Sequence, residues 1–305
     1  MLNGRDLLKN NISQVFLREI AQFEIERHIE NIVEYGYTVI GDYLKSVEVD
    51  EIRACMISLY VENEKNKEYF KSGAPVGFQN LIKNDQMINN LVAYDKVFID
   101  IATTGDHLKI LKYFLDDPYY KLVPDEDPNF ILAQLNARAA NIALPFHVDT
   151  RMVTEGFSTW SMQGFLAIGD VGAKNGCLRV IPGSHKSGKF PVEGLADSKK
   201  SIDIEMRPGD LVLFSSQLHH GTREYNSMSG APAWTILLTY RCWWCKQQFS
   251  LYELVDREIF SELTNNQKLL LGAASVTSSA INASSSSRIG YDGMWRPANK
   301  GGEHE

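Results

Sequence analysis

The chain has 305 residues, of which 44% are hydrophobic and 23% charged, and its formal net charge is −7. That acidic balance excludes nucleic acid as the main partner, because neutralising phosphates needs concentrated Lys and Arg. No apolar run is long enough to span a bilayer, and the opening Met1-Leu2-Asn3-Gly4-Arg5-Asp6 is no signal peptide, so the expectation is a cytoplasmic protein without a membrane partner.

Apolar residues Ile12, Val15, Phe16, Ile20 and Phe23 recur among charges over 12–35, which predicts a long amphipathic helix. Tyr35-Gly36 ends it, and Tyr37-Thr38-Val39-Ile40 reads as a short strand. A second helix is expected over 47–66, its aromatic and aliphatic stripe belonging to the core. Over 69–90 the periodicity fades, and Gly73-Ala74-Pro75-Val76-Gly77-Phe78 carries the breakers of a loop, either a lid or a plain connector. Helical spacing returns over 91–116, broken near Thr104-Gly105.

Strand signals begin at 130–138 and recur at 142–149, 158–168, 177–182, 202–206, 210–215 and 233–242, separated by Gly, Asn, Asp and Pro turns. Successive short strands with no helices between them predict an antiparallel sandwich or barrel. A helix is expected over 253–273, then a mobile Ser-rich stretch over 275–287 and a frayed tail over 298–305. The expected organisation is a single domain over 1–305, mainly helical over 1–125, with a β core over 126–250 and a helix and tail over 251–305.

The cysteines are Cys55, Cys177, Cys242 and Cys245. Cys242-Trp243-Trp244-Cys245 has the spacing of redox and zinc sites, yet no second Cys or His pair accompanies it and it closes an apolar strand. A structural role with reduced thiols is therefore expected.

Chemistry concentrates in Phe146-His147-Val148-Asp149-Thr150. Side chains alternate along a strand, so His147 and Asp149 share one side and Val148 takes the other. An imidazole beside a carboxylate can occupy two neighbouring positions on a metal. The distant His219-His220-Gly221 offers a third ligand, and only one of the two adjacent histidines can face the metal. Two His and one carboxylate with the opposite face open is the ligand set of non-haem Fe(II) oxygenases. Between these segments lie Asn175-Gly176-Cys177-Leu178-Arg179-Val180-Ile181-Pro182-Gly183-Ser184-His185-Lys186 and Arg207-Pro208-Gly209-Asp210-Leu211-Val212-Leu213-Phe214.

This ordered set resembles the phytanoyl-CoA dioxygenase family of Fe(II)/2-oxoglutarate enzymes, which includes ectoine hydroxylase. A weaker match begins near Val33-Glu34-Tyr35-Gly36-Tyr37-Thr38-Val39-Ile40, and the resemblance thins after about Leu251. It implies a double-stranded β-helix, the jelly-roll or cupin-like core, with N-terminal helices packed on it. It also implies a dioxygenase that hydroxylates a C–H bond of a small-molecule metabolite while 2-oxoglutarate is decarboxylated to succinate. Fe(II), 2-oxoglutarate and O2 are the implied cofactors, with ascorbate as a reductant, and the implied assembly is a monomer or homodimer.

Residue by residue, the family's His-Gly followed by Ser or Thr selects His220, so the resemblance makes His147, Asp149 and His220 the metal ligands. Related halogenases lack the carboxylate, so Asp149 favours oxidation over halogenation. Gln134 matches a glutamine that helps hold 2-oxoglutarate, and Thr222 matches the hydroxyl two residues past the distal His. Their structural alternatives are an ordinary strand residue and a turn former. His185 is expected to be a structural hydrogen-bonder, while Arg151, Phe78, Trp160 and Trp234 either border the substrate or belong to core and rim.

One departure stands out. Family members place an Arg at the start of the final core strand, paired with the far carboxylate of 2-oxoglutarate, and here that position is Ala233. A buried carboxylate without a cation is costly. Arg179 and Arg223 are the leading candidate substitutes, with Arg138 behind them. The missing arginine also supports an alternative, a non-catalytic jelly-roll binding protein with impaired co-substrate binding. A cupin-like isomerase on the same barrel is disfavoured, because the cupin His clusters are missing.

Overall fold

The computed structural model describes residues 25–65, 86–116, 126–139, 143–156, 158–192, 199–224 and 233–275. The expected helical stretch over 12–24, most of the loop over 69–85, the Ser-rich stretch from 276 and the tail lie outside them. The chain divides into two compact units, one of 1–26, 90–135 and 239–305, the other of 27–89 and 136–238.

The second unit holds two antiparallel sheets. The larger runs β1-β8-β5-β10-β3-β2, from β1 (Tyr37–Ile40), β2 (Gln86–Ile88), β3 (Phe130–Ala139), β5 (Ser161–Ala167), β8 (Leu211–Ser215) and β10 (Trp234–Cys242). β3 enters this unit from Asn136, and β10 leaves it after Leu238. The smaller sheet runs β4-β9-β6-β7, from β4 (Leu144–His147), β6 (Leu178–Val180), β7 (Ile202–Ile204) and β9 (His220–Thr222). Their inner faces share one apolar cluster, with Ala167, Val212, Phe214 and Ala233 from the larger sheet against Leu178, Val180 and Ile204 from the smaller. This is the expected jelly-roll core.

Helix α1 (Ile25–Tyr35) buries Ile29 and Ile32, and α2 (Ser46–Lys65) buries Val49, Ile52 and Met56, each set at helical spacing. α1 stops where Gly36 takes φ +89°, a conformation glycine adopts freely. A β-carbon there would run into the His185 ring. The Pro-Gly-Asp turn before β8 has an equally local cause: the Asp210 carboxylate accepts from Arg207 N (2.8 Å) and Asp42 N (2.9 Å), clamping the turn to the end of β1.

The first unit is mainly helical. α3 (Lys96–Thr103) starts at Asp95, whose carboxylate accepts from Val97 N, and α4 (His107–Leu115) follows the expected break at Thr104-Gly105. Tyr240 Oη donates to Ala102 O (2.8 Å) and so accepts from His107 Nε2 (3.0 Å). Burial holds the His107 pKa down at about 3, against a raising hydrogen bond to the Ala102 backbone.

Two expectations need correcting. The helix read over 253–273 is three short ones, α5 (Leu251–Leu254), α6 (Arg257–Glu262) and α7 (Asn265–Leu270). Asp256 and Thr264 each accept a backbone N–H at a new N-terminus, and Thr264 forms a full capping box with Gln267. The stretch read as loop to residue 90 contains β2, an edge strand too short to show alternation, paired through Met87↔Arg138. None of the four cysteines is in a disulfide, and Cys242 to Cys245 forms a simple turn closed by Cys245 N to Cys242 O (3.0 Å). Among the described residues, no helix is long and apolar enough to cross a membrane.

Candidate metal centre

β4 and β9 meet in an irregular register, with Leu144 opposite Thr222 and His147 opposite His220. The extra residue on β4 is a bulge, a device that re-aims side chains. It works because position 221 is glycine: a β-carbon there would lie 2.5 Å from Leu144 O and 3.2 Å from Pro145 O. The two rings consequently sit side by side, centroids 4.2 Å apart.

Each ring is fixed by its own strand. His147 Nδ1 lies 2.9 Å from Pro145 O and His220 Nδ1 lies 2.9 Å from Leu218 O, so both Nδ1 atoms donate. The Nε2 lone pairs are left facing Asp149, at 3.5 Å from Oδ1 for His147 and 3.3 Å from Oδ2 for His220. Asp149 is anchored by its own N–H to Ser216 O (2.8 Å). Ser216 in turn sits in a buried network, accepting from Gln163 Nε2 (3.0 Å) and donating to Ser161 Oγ (2.9 Å).

The three donor atoms lie within 4.8 Å of one another, and among the described residues this is the one grouping of His, Cys, Asp and Glu able to hold a metal ion. Two imidazole lone pairs and a carboxylate aimed at one point repel unless a cation lies between them. This donor set fits a divalent metal with an open face. Burial alone would raise the Asp149 pKa, but His220 and His147 outweigh it and hold the carboxyl well below the usual carboxylate range. Burial would also lower the His147 pKa, yet the hydrogen bond and charge of Asp149 raise it overall, against the opposing charge of Arg138.

His219 faces away, as alternation requires. Its Nε2 meets Lys189 O (2.7 Å) and its N–H donates to Ser184 Oγ (2.9 Å). His185 is buried between α1 and the turn it belongs to, with Nε2 3.3 Å from Val33 O, a structural role. Thr222 shares the His220 side, and its hydroxyl accepts from Leu144 N (3.1 Å), closing the bulge. Gln134 lies on β3 in the first unit and accepts from Thr239 Oγ1 (3.4 Å). Trp160 Nε1 donates to Thr150 Oγ1 (3.1 Å) beside Asp149, whereas Trp234 packs edge-on against Tyr60 with centroids 5.5 Å apart. Arg151 is exposed, and Phe78 lies outside the described residues.

The two favoured arginines are not brought to the metal side. Val180 pairs with His220, so it shares the inner face, and Arg179 beside it must point outward. The same count from His220 turns Arg223 outward. Contacts agree: the Arg179 guanidinium lies 5.5 Å over the Phe146 ring, and Phe146, next to His147, also faces out. Outside, both arginines converge on Asp203, Arg179 Nε at 3.3 Å and Arg223 Nη2 at 3.0 Å, which ties together β6, β7 and the end of β9. The sequence contains both arginines but not their facing, which depends on the register.

Sequence reasoning also missed Ser216, Gln163 and Phe214. The Phe214 ring abuts His220 at 4.9 Å, and its only signal was its place at the end of the Pro-Gly-Asp strand.

A curated relative, the uncharacterized protein YJR154W of Saccharomyces cerevisiae, is 24% identical over 82% of this chain and 74% of its own length. Among solved structures, HygX from Streptomyces hygroscopicus with nickel, 2-oxoglutarate and hygromycin B bound superposes with a TM-score of 0.51 at 16% identity, covering 72% of this chain and 88% of that one. SnoK, a non-heme alpha ketoglutarate dependent carbocyclase from nogalamycin biosynthesis, gives 0.51 at 14% identity, covering 71% and 83%. These likenesses describe the fold. The family-level match is to Phytanoyl-CoA dioxygenase (PhyH) over residues 32–231, which takes in the whole sheet pair up to β9 and all three converging donors. The chain belongs to the phytanoyl-CoA dioxygenase family, whose members are Fe(II)- and 2-oxoglutarate-dependent oxygenases.

Proposed function

We propose that this chain is an Fe(II)/2-oxoglutarate-dependent oxygenase that oxidises, most simply by hydroxylation, a C–H bond of a small molecule, with His147, Asp149 and His220 as the metal ligands. The observation that carries the reading is the convergence of two Nε2 atoms and one carboxylate whose partners already fix their orientation. Bound iron would let O2 act as the oxidant, with 2-oxoglutarate as the two-electron co-reductant: one oxygen atom would go to succinate, the other to the substrate, and CO2 would leave. The chain's own part is to hold the ligands. Pro145 O and Leu218 O set the tautomers, and Ser216 O fixes the Asp149 backbone. The Phe214 ring packs edge-to-face against His220, which is buried. The presence of Asp149 favours oxygenation over halide transfer, since the carboxylate occupies the position a halide would need.

A small-molecule substrate is supported by HygX, a family-like fold described with hygromycin B bound. Free cysteines fit a cytoplasmic setting. The second reading, a non-catalytic binding protein, is supported by the resemblance, which puts Ala233 where family members carry an arginine. Anaerobic addition of Fe(II) and then 2-oxoglutarate to the apo-protein distinguishes the two. The oxygenase reading expects a visible metal-to-ligand charge-transfer band; its absence at millimolar 2-oxoglutarate gives the lead to the binding protein.

A further inference from the structure

We propose that Arg138 is the cation that receives the far carboxylate of 2-oxoglutarate in this chain, standing in for the arginine missing at Ala233. The inference rests on the oxygenase reading above and specifies how its co-substrate is held.

Strand parity carries it. Ala233 belongs to the apolar cluster between the sheets, so the family's arginine position does face the interior. Counting by twos from Ala233 along β10 reaches Thr239, on the same face. Thr239 bonds Gln134, which puts Gln134 on that face of β3, and counting by twos from Gln134 reaches Asn136 and Arg138. β3 is the neighbour of β10 in the larger sheet, so the replacement cation lies one strand over from the position it replaces. Arg179 and Arg223, by the same counting, point out of the barrel onto Asp203.

Burial points the same way. Arg138 is 9% exposed, so its guanidinium is held on that inner face rather than in solvent. A planar fork of donors matches a carboxylate in two parallel hydrogen bonds. The small Ala233 side chain leaves the neighbouring strand clear for the longer group.

The test uses the full chain with Arg138→Gln and Arg138→Lys, Fe(II) held anaerobically, and two ligands: 2-oxoglutarate and 2-oxopentanoate, which keeps the chelating end and replaces the far carboxylate by a methyl group. Half-saturation of the charge-transfer band is read for each pair. Arg138→Gln should weaken 2-oxoglutarate about ten- to hundredfold while leaving Fe(II) and 2-oxopentanoate binding unchanged. Arg138→Lys, which keeps the charge, should fall between. If the glutamine variant does not fold, the lysine variant must still show selective weakening of 2-oxoglutarate. Adding Ala233→Arg to either variant should restore affinity.

Equal weakening of both ligands would reduce Arg138 to a structural role and overturn the proposal. So would wild-type affinity for 2-oxoglutarate in Arg138→Gln, including the case where only an acidic substrate loses affinity. Neither result touches the oxygenase reading, which fails separately if the wild type gives no band with 2-oxoglutarate.

Discussion

Gly221→Ala should cripple metal binding without touching a ligand. An added β-carbon would stand 2.5 Å from Leu144 O, whereas a carbon–oxygen contact between strands sits at about 3.3 Å or more. β4 and β9 must therefore part by about 0.8 Å at the bulge that places His147 opposite His220. Metal–ligand distances tolerate about 0.2 Å, so the displacement is several times what the site can absorb. Losing such support lowers metal affinity by roughly 10–100-fold. The assay is anaerobic calorimetric titration with Fe(II), or with Co(II) as an air-stable probe, alongside thermal unfolding. Gly41→Ala is the control, because the nearest atom to its new β-carbon is Asp210 Oδ1 at 3.8 Å, an ordinary contact. If Gly221→Ala binds metal as tightly as wild type, the argument that this glycine sets the spacing of the two rings is wrong.

Two further predictions follow from particular side chains. His220→Ala should abolish metal binding while His219→Ala leaves it intact, since the His219 ring is occupied with Lys189 O on the other side; the reverse pattern in a metal titration would overturn the assignment. Stability should fall in acid because of His107: the unfolded imidazole protonates near 6.5 and the folded one only near 3, so its contribution is complete above pH 6.5 and is lost as pH falls toward 3. The slope should approach about 1.4 kcal/mol per pH unit, and in urea unfolding from pH 8 to 5 the variant His107→Gln should lose about one proton's worth of it; identical slopes would refute the assignment.

How much of this was legible beforehand depended on whether the signal was local. The His147-x-Asp149 pair, the distal His220 and the Pro-Gly-Asp turn are short-range patterns, and each sits where its residues alone suggested. Alternation required only that His219 and His220 face opposite ways, and the family's His-Gly pattern named His220; the two rings do take different partners, Lys189 O for His219 and Leu218 O for His220. The outward facing of Arg179 and Arg223 could not be read, because it depends on pairing β6 with β9 across 41 intervening residues' worth of unknown register, from Arg179 to Gly221. The division of 253–273 into three helices was within reach: Thr264-Asn265-Asn266-Gln267 is a capping-box pattern that the apolar spacing around it obscured.

Both imidazoles are oriented by main-chain carbonyls two residues upstream, at Pro145 and Leu218, rather than by other side chains. Every residue type supplies a backbone carbonyl, so mutation elsewhere cannot easily erase the instruction that turns Nε2 inward. The grip on the metal is thus inherited with the path of two strands. Position 233, by contrast, contributes only a side chain to the apolar cluster, and a side chain is exchangeable. Side chains that turn toward the interior can therefore change while the path of these two strands, and with it the aim of both rings, stays the same.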